Sequence, residues 1–138
     1  MGTRQTVRLG PRERALLKGK NFAHLATMQP DDTPHVSVVW IDVDDDGTIL
    51  VNTVEGRVKE RNMRRDGRVG LSVSDSDDPY TNLSVSGHVV DITRDGADAH
   101  IDALAKRYKG QDRYDGHRPD KTRVIVKIRP EQVRTYQL

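Results

Sequence analysis

The sequence predicts a mainly β, α+β domain in which six antiparallel strands form a small barrel with two or three flanking helices. Three observations lead there. The apolar residues fall into short β-branched runs bounded by Gly, Pro and Asp clusters. Two of those runs flank an acidic Gly turn, and the helical segments between the others are short. The chain, 138 residues and 15.6 kDa, is the size of one domain. A single domain over 1–138 is expected, with residues 1–9 as a flexible N-terminus.

Pro11 suits the first turn of a helix, where its missing N–H goes unused, and Arg12 to Lys20 continues that helix with Ala15, Leu16 and Leu17. FAHLATM, 22–28, alternates Phe22, His24 and Ala26 against Ala23, Leu25 and Thr27, a strand with one small-residue face. Pro30 to Pro34 is a turn by composition. HVSVVWIDV, 35–43, is the strongest strand signal. Asp44-Asp45-Asp46-Gly47 then turns the chain into TILVNTV, 48–54, expected as its antiparallel partner. RVKERNMRRD, 57–66, has helical propensity, with Val58 and Met63 as its grips on a core. Arg68 to Ser74 and Tyr80 to Thr93 are strands around the acidic loop 75–78, and Gly87 marks a bend or bulge. Ala97, Ile101, Leu104, Ala105 and Tyr108 share one helical face. A polar loop, 109–120, leads to a last strand, Thr122 to Ile128, and Pro130 opens a short tail.

Composition excludes several chemistries. With no cysteine there is no disulfide, zinc ribbon, iron–sulfur ligation or thiol catalysis. The longest apolar stretch has a strand's length, so no membrane span is expected. MGTRQTVRLG lacks the apolar centre of a secretory signal, which makes a cytoplasmic protein the expectation. Gly2 and Thr6 meet a loose myristoylation pattern that arises often by chance. The five histidines, at 24, 35, 88, 100 and 117, show no paired ligand spacing, so no metal is expected. Asp42, Asp44, Asp45 and Asp46 resemble a calcium loop in composition alone and read as a solvated hairpin turn. Trp40 reads as a barrel residue or as one near a ligand. Hydrophobic residues make up 34% against 32% charged, a core in a polar shell that a second subunit would help to cover.

The informative segment is Asn52-Thr53-Val54-Glu55-Gly56-Arg57-Val58-Lys59-Glu60-Arg61-Asn62. A strand ends in a polar Thr, a Gly permits a tight turn, and cations open a helix whose free N–H groups already favour an anion. Arg57, Lys59 and Arg61 add the charge-assisted donors that a phosphate needs. Two other readings stay open on these residues. The cations can be an ordinary solvated helix face. Arg57, Lys59, Arg61, Arg64, Arg65 and Arg68 can also form a nucleic-acid-binding stripe, although no stacking aromatic interrupts it.

In this order, FAHLATM, PHVSVVWIDV, TILVNT and GRVKERNMRRDGRVGLSV resemble the split β-barrel flavin-binding superfamily related to pyridoxamine 5′-phosphate oxidase. Within it they are similar to the actinobacterial branch that uses the deazaflavin coenzyme F420. The resemblance covers Leu16 to Tyr136. It implies a homodimer of six-stranded, FMN-binding-like split barrels with cofactor grooves at the subunit interface, and hydride transfer between reduced deazaflavin and an unsaturated small molecule. FMN in the same fold is the alternative. By the same resemblance Ser37 and Val38 offer backbone groups to the ring and Thr53 a hydroxyl. Arg57 and Lys59 hold the phosphate with Arg61 and Asn62 in support, and Tyr80 reaches the partner's cofactor. The excess of cations between Arg57 and Arg68 would give the acidic tail of F420 a surface to track. The oxidases' C-terminal Arg-rich signature is missing before Tyr136-Gln137-Leu138, which argues against vitamin B6 oxidation. No extra region suggests a haem ligand. No nucleophile or acid–base pair stands out, as expected where a cofactor carries the chemistry, and no catalytic residue is assigned. The proton would come from solvent or from a Tyr or His.

Overall fold

The computed structural model describes residues 7–137, in which three helices surround one antiparallel sheet. The helices are α1 (Pro11–Lys18), α2 (Val58–Arg65) and α3 (Ala97–Lys109). The strands are β1 (Phe22–Met28), β2 (Pro34–Trp40), β3 (Asp42–Val43), β4 (Ile49–Val54), β5 (Arg68–Ser74), β6 (Thr81–Thr93) and β7 (Arg123–Gln137). Seven strands thus stand where six were expected. Their order across the sheet is β2-β1-β5-β6-β7-β4-β3, and the sheet curls into a half-barrel. Leu17, Leu25, Ile41, Ile49, Val51, Val73, Leu83, Val124 and Ile128, all fully buried, fill its concave side. Leu9 is also buried there, so the expected flexible start does not extend to it; residues 1–6, with the Gly2 and Thr6 pattern, lie outside the described residues.

The extra strand comes from a break at Ile41. The run 35–43 pairs with 48–54 through β3 alone, Asp42 with Leu50 and Val43 with Ile49, while β2 pairs with β1. Side chains of α3 replace the missing ladder. The Tyr108 hydroxyl accepts from the Ile41 N–H at 3.1 Å, and Arg107 donates to the Ile41 carbonyl at 2.8 Å. At the other end Pro130 does not close the last strand. It sits opposite Gly87 at a bulge, where its missing N–H breaks no regular ladder, and β7 runs on to Gln137. Gly87 is required there because a Cβ would collide with the Arg129 carbonyl. In α2, Met63 is buried as expected but Val58 is exposed; Glu60 and Asn62 are the other buried side chains.

Candidate functional site

The sheet does not close. β2 and β4 face each other across a seam, and a groove of about 240 Å³ lies along it. Asn52 and Thr53 of β4 line it from one side, and Val38 and Trp40 of β2 from the other. Trp40 stacks on Tyr108 with centroids 5.1 Å apart, and Tyr114 meets it edge-on. Phe22 and Val38, more than half exposed, leave one side of the groove open.

Arg57, Lys59 and Arg123 gather as the groove's basic end, and a fourth cation, Lys109, lines it 5.9 Å from the Trp40 ring centroid. Gly56, at φ 91°, turns the chain out of β4, and its N–H donates to buried Glu60 at 2.7 Å. Glu60 also binds Arg64, which approaches Glu55, while Arg94 grips Glu55 with two bonds of 2.8 and 3.0 Å. Arg65 reaches the Met28 carbonyl and Asn62, and Arg68 pairs with Asp66 at 2.7 Å. These internal pairs take up half of the expected cationic stripe. Arg57, Lys59 and Arg123 have no ion pair with a described carboxylate. Burial lowers the Lys59 ammonium's proton affinity, and neighbouring Arg57 adds to the effect. Burial likewise lowers that of the Arg123 guanidinium.

Of the residues singled out in the sequence, Val38, Thr53, Arg57 and Lys59 line the groove. Ser37 faces the concave side beside it, its hydroxyl buried without a partner among the described residues. Asn62 does not reach the groove. It is buried and donates to the Thr27 hydroxyl at 3.1 Å, which ties α2 to β1. Arg61 is exposed and off the groove, and Tyr80 is exposed in the turn just before β6. Sequence reasoning missed Arg123, Tyr114, Lys109 and Asn52's role. Arg123 pairs with Val54 across β4 and β7, so it stands beside the 54–57 turn, but it lies 66 positions after Arg57 in the chain. Its one local signal is a charge at the head of the apolar run 124–126.

Asn52 links the groove to a second polar cluster. Its amide donates to the Ala97 carbonyl at 2.8 Å and to His100 Nδ1 at 3.2 Å, and its carbonyl accepts from Arg123 at 3.1 Å. With Nδ1 accepting, His100 Nε2–H donates to Asp42 at 3.0 Å. Asp42, expected in a solvated turn, is instead buried and bound by Arg107 at 2.7 Å and Lys18 at 3.0 Å. Burial works to raise its carboxyl, but hydrogen bonds from His100, Arg107 and Lys18 more than offset it and hold it well below the usual range. No cluster of three metal-ligating side chains occurs among the described residues, and no helix is long and apolar enough to cross a membrane.

An antiparallel half-barrel split at a seam, with cations beside the strand–Gly–helix turn, defines a split-barrel class of protein. The chain belongs to the pyridoxamine 5′-phosphate oxidase family, whose sequence pattern it matches over residues 9–137. Among solved structures it is similar to an F420 reductase, with 34% identity, a TM-score of 0.77, and 93% of this chain and 98% of that one covered. It is also similar to the conserved hypothetical protein Rv2991 from Mycobacterium tuberculosis (25% identity, TM-score 0.72, 99% and 90% covered). HupZ of Group A Streptococcus shares the fold at 17% identity, with a TM-score of 0.67 and 94% and 95% covered. A comparison with curated proteins found no match.

Proposed function

We propose that this protein is an F420-dependent oxidoreductase that binds the deazaflavin along the β2–β4 seam. One observation carries the reading: Arg57, Lys59 and Arg123 converge in a groove without an ion pair to any described carboxylate, and Thr53, which lines that groove, keeps a buried hydroxyl with no partner among the described residues. That pattern fits a ligand with a phosphate at one end and a planar ring with a polar edge at the other. The 34% identity to an F420 reductase favours the deazaflavin over FMN. When bound, the coenzyme supplies the hydride for an unsaturated, electron-poor small molecule. Arg57 and Lys59 hold the phosphate, Thr53 meets the ring's polar edge, and the free edge of β2 at Ser37 and Val38 offers it backbone groups. Trp40 and Tyr114 shield the ring from water.

A second copy of the chain would complete the groove. The outer sheet face carries two rows of mainly small residues, Val38-His24-Ser72-Ser84 and Val36-Ala26-Gly70-Ser86. Val36 and Val38 are 59% and 57% exposed on it, next to the groove's open side. A two-fold dimer across this face covers both valines and carries Tyr80 towards the partner's groove. Light scattering after size exclusion is expected to give twice 15.6 kDa; a monomer that still binds cofactor overturns the shared groove. The function is tested by titrating purified protein with F420 and FMN side by side at low salt. Tighter F420 binding is expected, and micromolar FMN binding without F420 binding reverses the assignment to a flavin enzyme.

A further inference from the structure

We infer that the cavity beneath the 110–121 loop is a binding site for the carboxylates beyond the coenzyme's phosphate, and that Arg123 is the gate between it and the groove. This rests on the deazaflavin reading. The cavity, about 440 Å³, shares Arg123 with the groove and has Arg113, Arg118 and Lys121 on its walls. Asp98 and Asp102 are the carboxylates lining it, and Asp102 is already engaged by the Tyr114 N–H at 2.8 Å and His117 Nε2 at 2.7 Å. Positive charge is therefore in excess.

Arg123 makes the junction specific. It is 8% exposed, and its hydrogen-bond partners are neutral: the Asn52 carbonyl at 3.1 Å and the Tyr114 hydroxyl at 3.3 Å. Its guanidinium lies 4.8 Å from the Tyr114 ring centroid. Asp98 attracts the guanidinium across the cavity without forming an ion pair and Arg57 repels it, so the buried charge still lacks a bonded carboxylate, which an anion passing between the two cavities supplies. The route along α2 suggested by the sequence is weaker, because Arg64, Arg65 and Arg68 are held by Glu60, Met28 and Asp66.

The test compares two forms of the coenzyme, one with its oligoglutamate tail and one ending at the lactyl group. Their affinities are measured at low salt on the wild type and on Arg118→Ala/Lys121→Ala, two exposed positions whose loss leaves the fold intact. The wild type is expected to prefer the tailed form about fivefold to tenfold, the scale of two exposed ion pairs. The double variant is expected to bind both forms alike, with wild-type affinity for the short one. Equal affinity for both forms in the wild type, or an undiminished preference in the variant, overturns the tail site while leaving the function standing. Binding of FMN but of neither deazaflavin overturns both.

Discussion

Two polar clusters meet at Asn52 and treat charge in opposite ways. On one side Asp42 is buried with His100, Arg107 and Lys18 around it, so its charge is answered within the chain. On the other, Arg57, Lys59 and Arg123 gather with no described carboxylate in ion-pair reach: Arg123 bonds only neutral groups, and Asp98 attracts it from across the neighbouring cavity. The first arrangement joins α1 and α3 to the β2–β3 corner and serves the fold. The second leaves positive charge partly dehydrated without an ion-pair partner, a cost that a fold alone has no reason to carry. The contrast separates scaffold from site more sharply than the residue types do, since both clusters are built from the same charged and polar groups.

The largest effect is expected on the compensated side. Asp42→Asn leaves Arg107 and His100 facing a neutral amide and should cost on the order of 3 kcal/mol of stability, the scale for removing one partner of a buried pair. Its acid dependence is a second reading of the same residue. The folded-state carboxyl is held below its unfolded value of about 3.9, so its contribution is present above that pH and is lost as pH falls below it. Denaturant midpoints measured between about pH 5 and pH 2 should therefore fall less steeply in Asp42→Asn than in the wild type. Equal slopes would show that Asp42 is not the carboxylate the network protects.

On the uncompensated side the order reverses, with affinity lost and stability kept. Lys59→Ala should weaken F420 binding about tenfold to a hundredfold, equivalent to losing a hydrogen bond between charged groups of about 1.5–3 kcal/mol. The melting temperature without cofactor should not drop. A lysine whose proton affinity is lowered by burial opposes folding at neutral pH instead of supporting it. Calorimetry and thermal melts on the same sample check both halves. A Lys59→Ala protein that melts lower and binds normally would move Lys59 to the scaffold.

Much of this contrast was hidden in the sequence, for reasons tied to distance along the chain. The strands with local alternation, 22–28 and 68–74, appear with the boundaries their patterns predict, and so does the buried face of α3. The break at Ile41 was not legible, because the groups that cap its backbone, Arg107 and Tyr108, lie more than sixty residues away. Pro130 misled in the same way: a strand terminator by local rules becomes tolerable opposite Gly87, which only the fold pairs with it. At the site, Arg57 and Lys59 could be read from the Gly turn and the helix start. Which neighbouring cations were spent on Glu55, Glu60 and Asp66 could not, since spacing gives proximity along a helix but not the pairing that wins. Arg123 stayed silent because a lone charge at a strand's start looks like a solvated end until β4 is laid beside it.

The smallest expected effect is the cleanest probe of the contrast, because it changes no charge. Thr53 is 1% exposed, and its hydroxyl has no hydrogen-bond partner among the described residues although it lines the groove. A buried hydroxyl without a partner costs about 1–3 kcal/mol of desolvation, so Thr53→Val, nearly the same shape, should stabilise the cofactor-free protein by about 1 kcal/mol. The same change removes the donor meant for the ring's polar edge and should weaken F420 binding by about 1 kcal/mol, close to fivefold. Opposite signs in the two measurements are the signature of a group kept for its ligand. Were Thr53→Val to lower the melting temperature and leave F420 binding untouched, the hydroxyl would belong to the scaffold, and the ring would have to find its polar contact elsewhere along the seam.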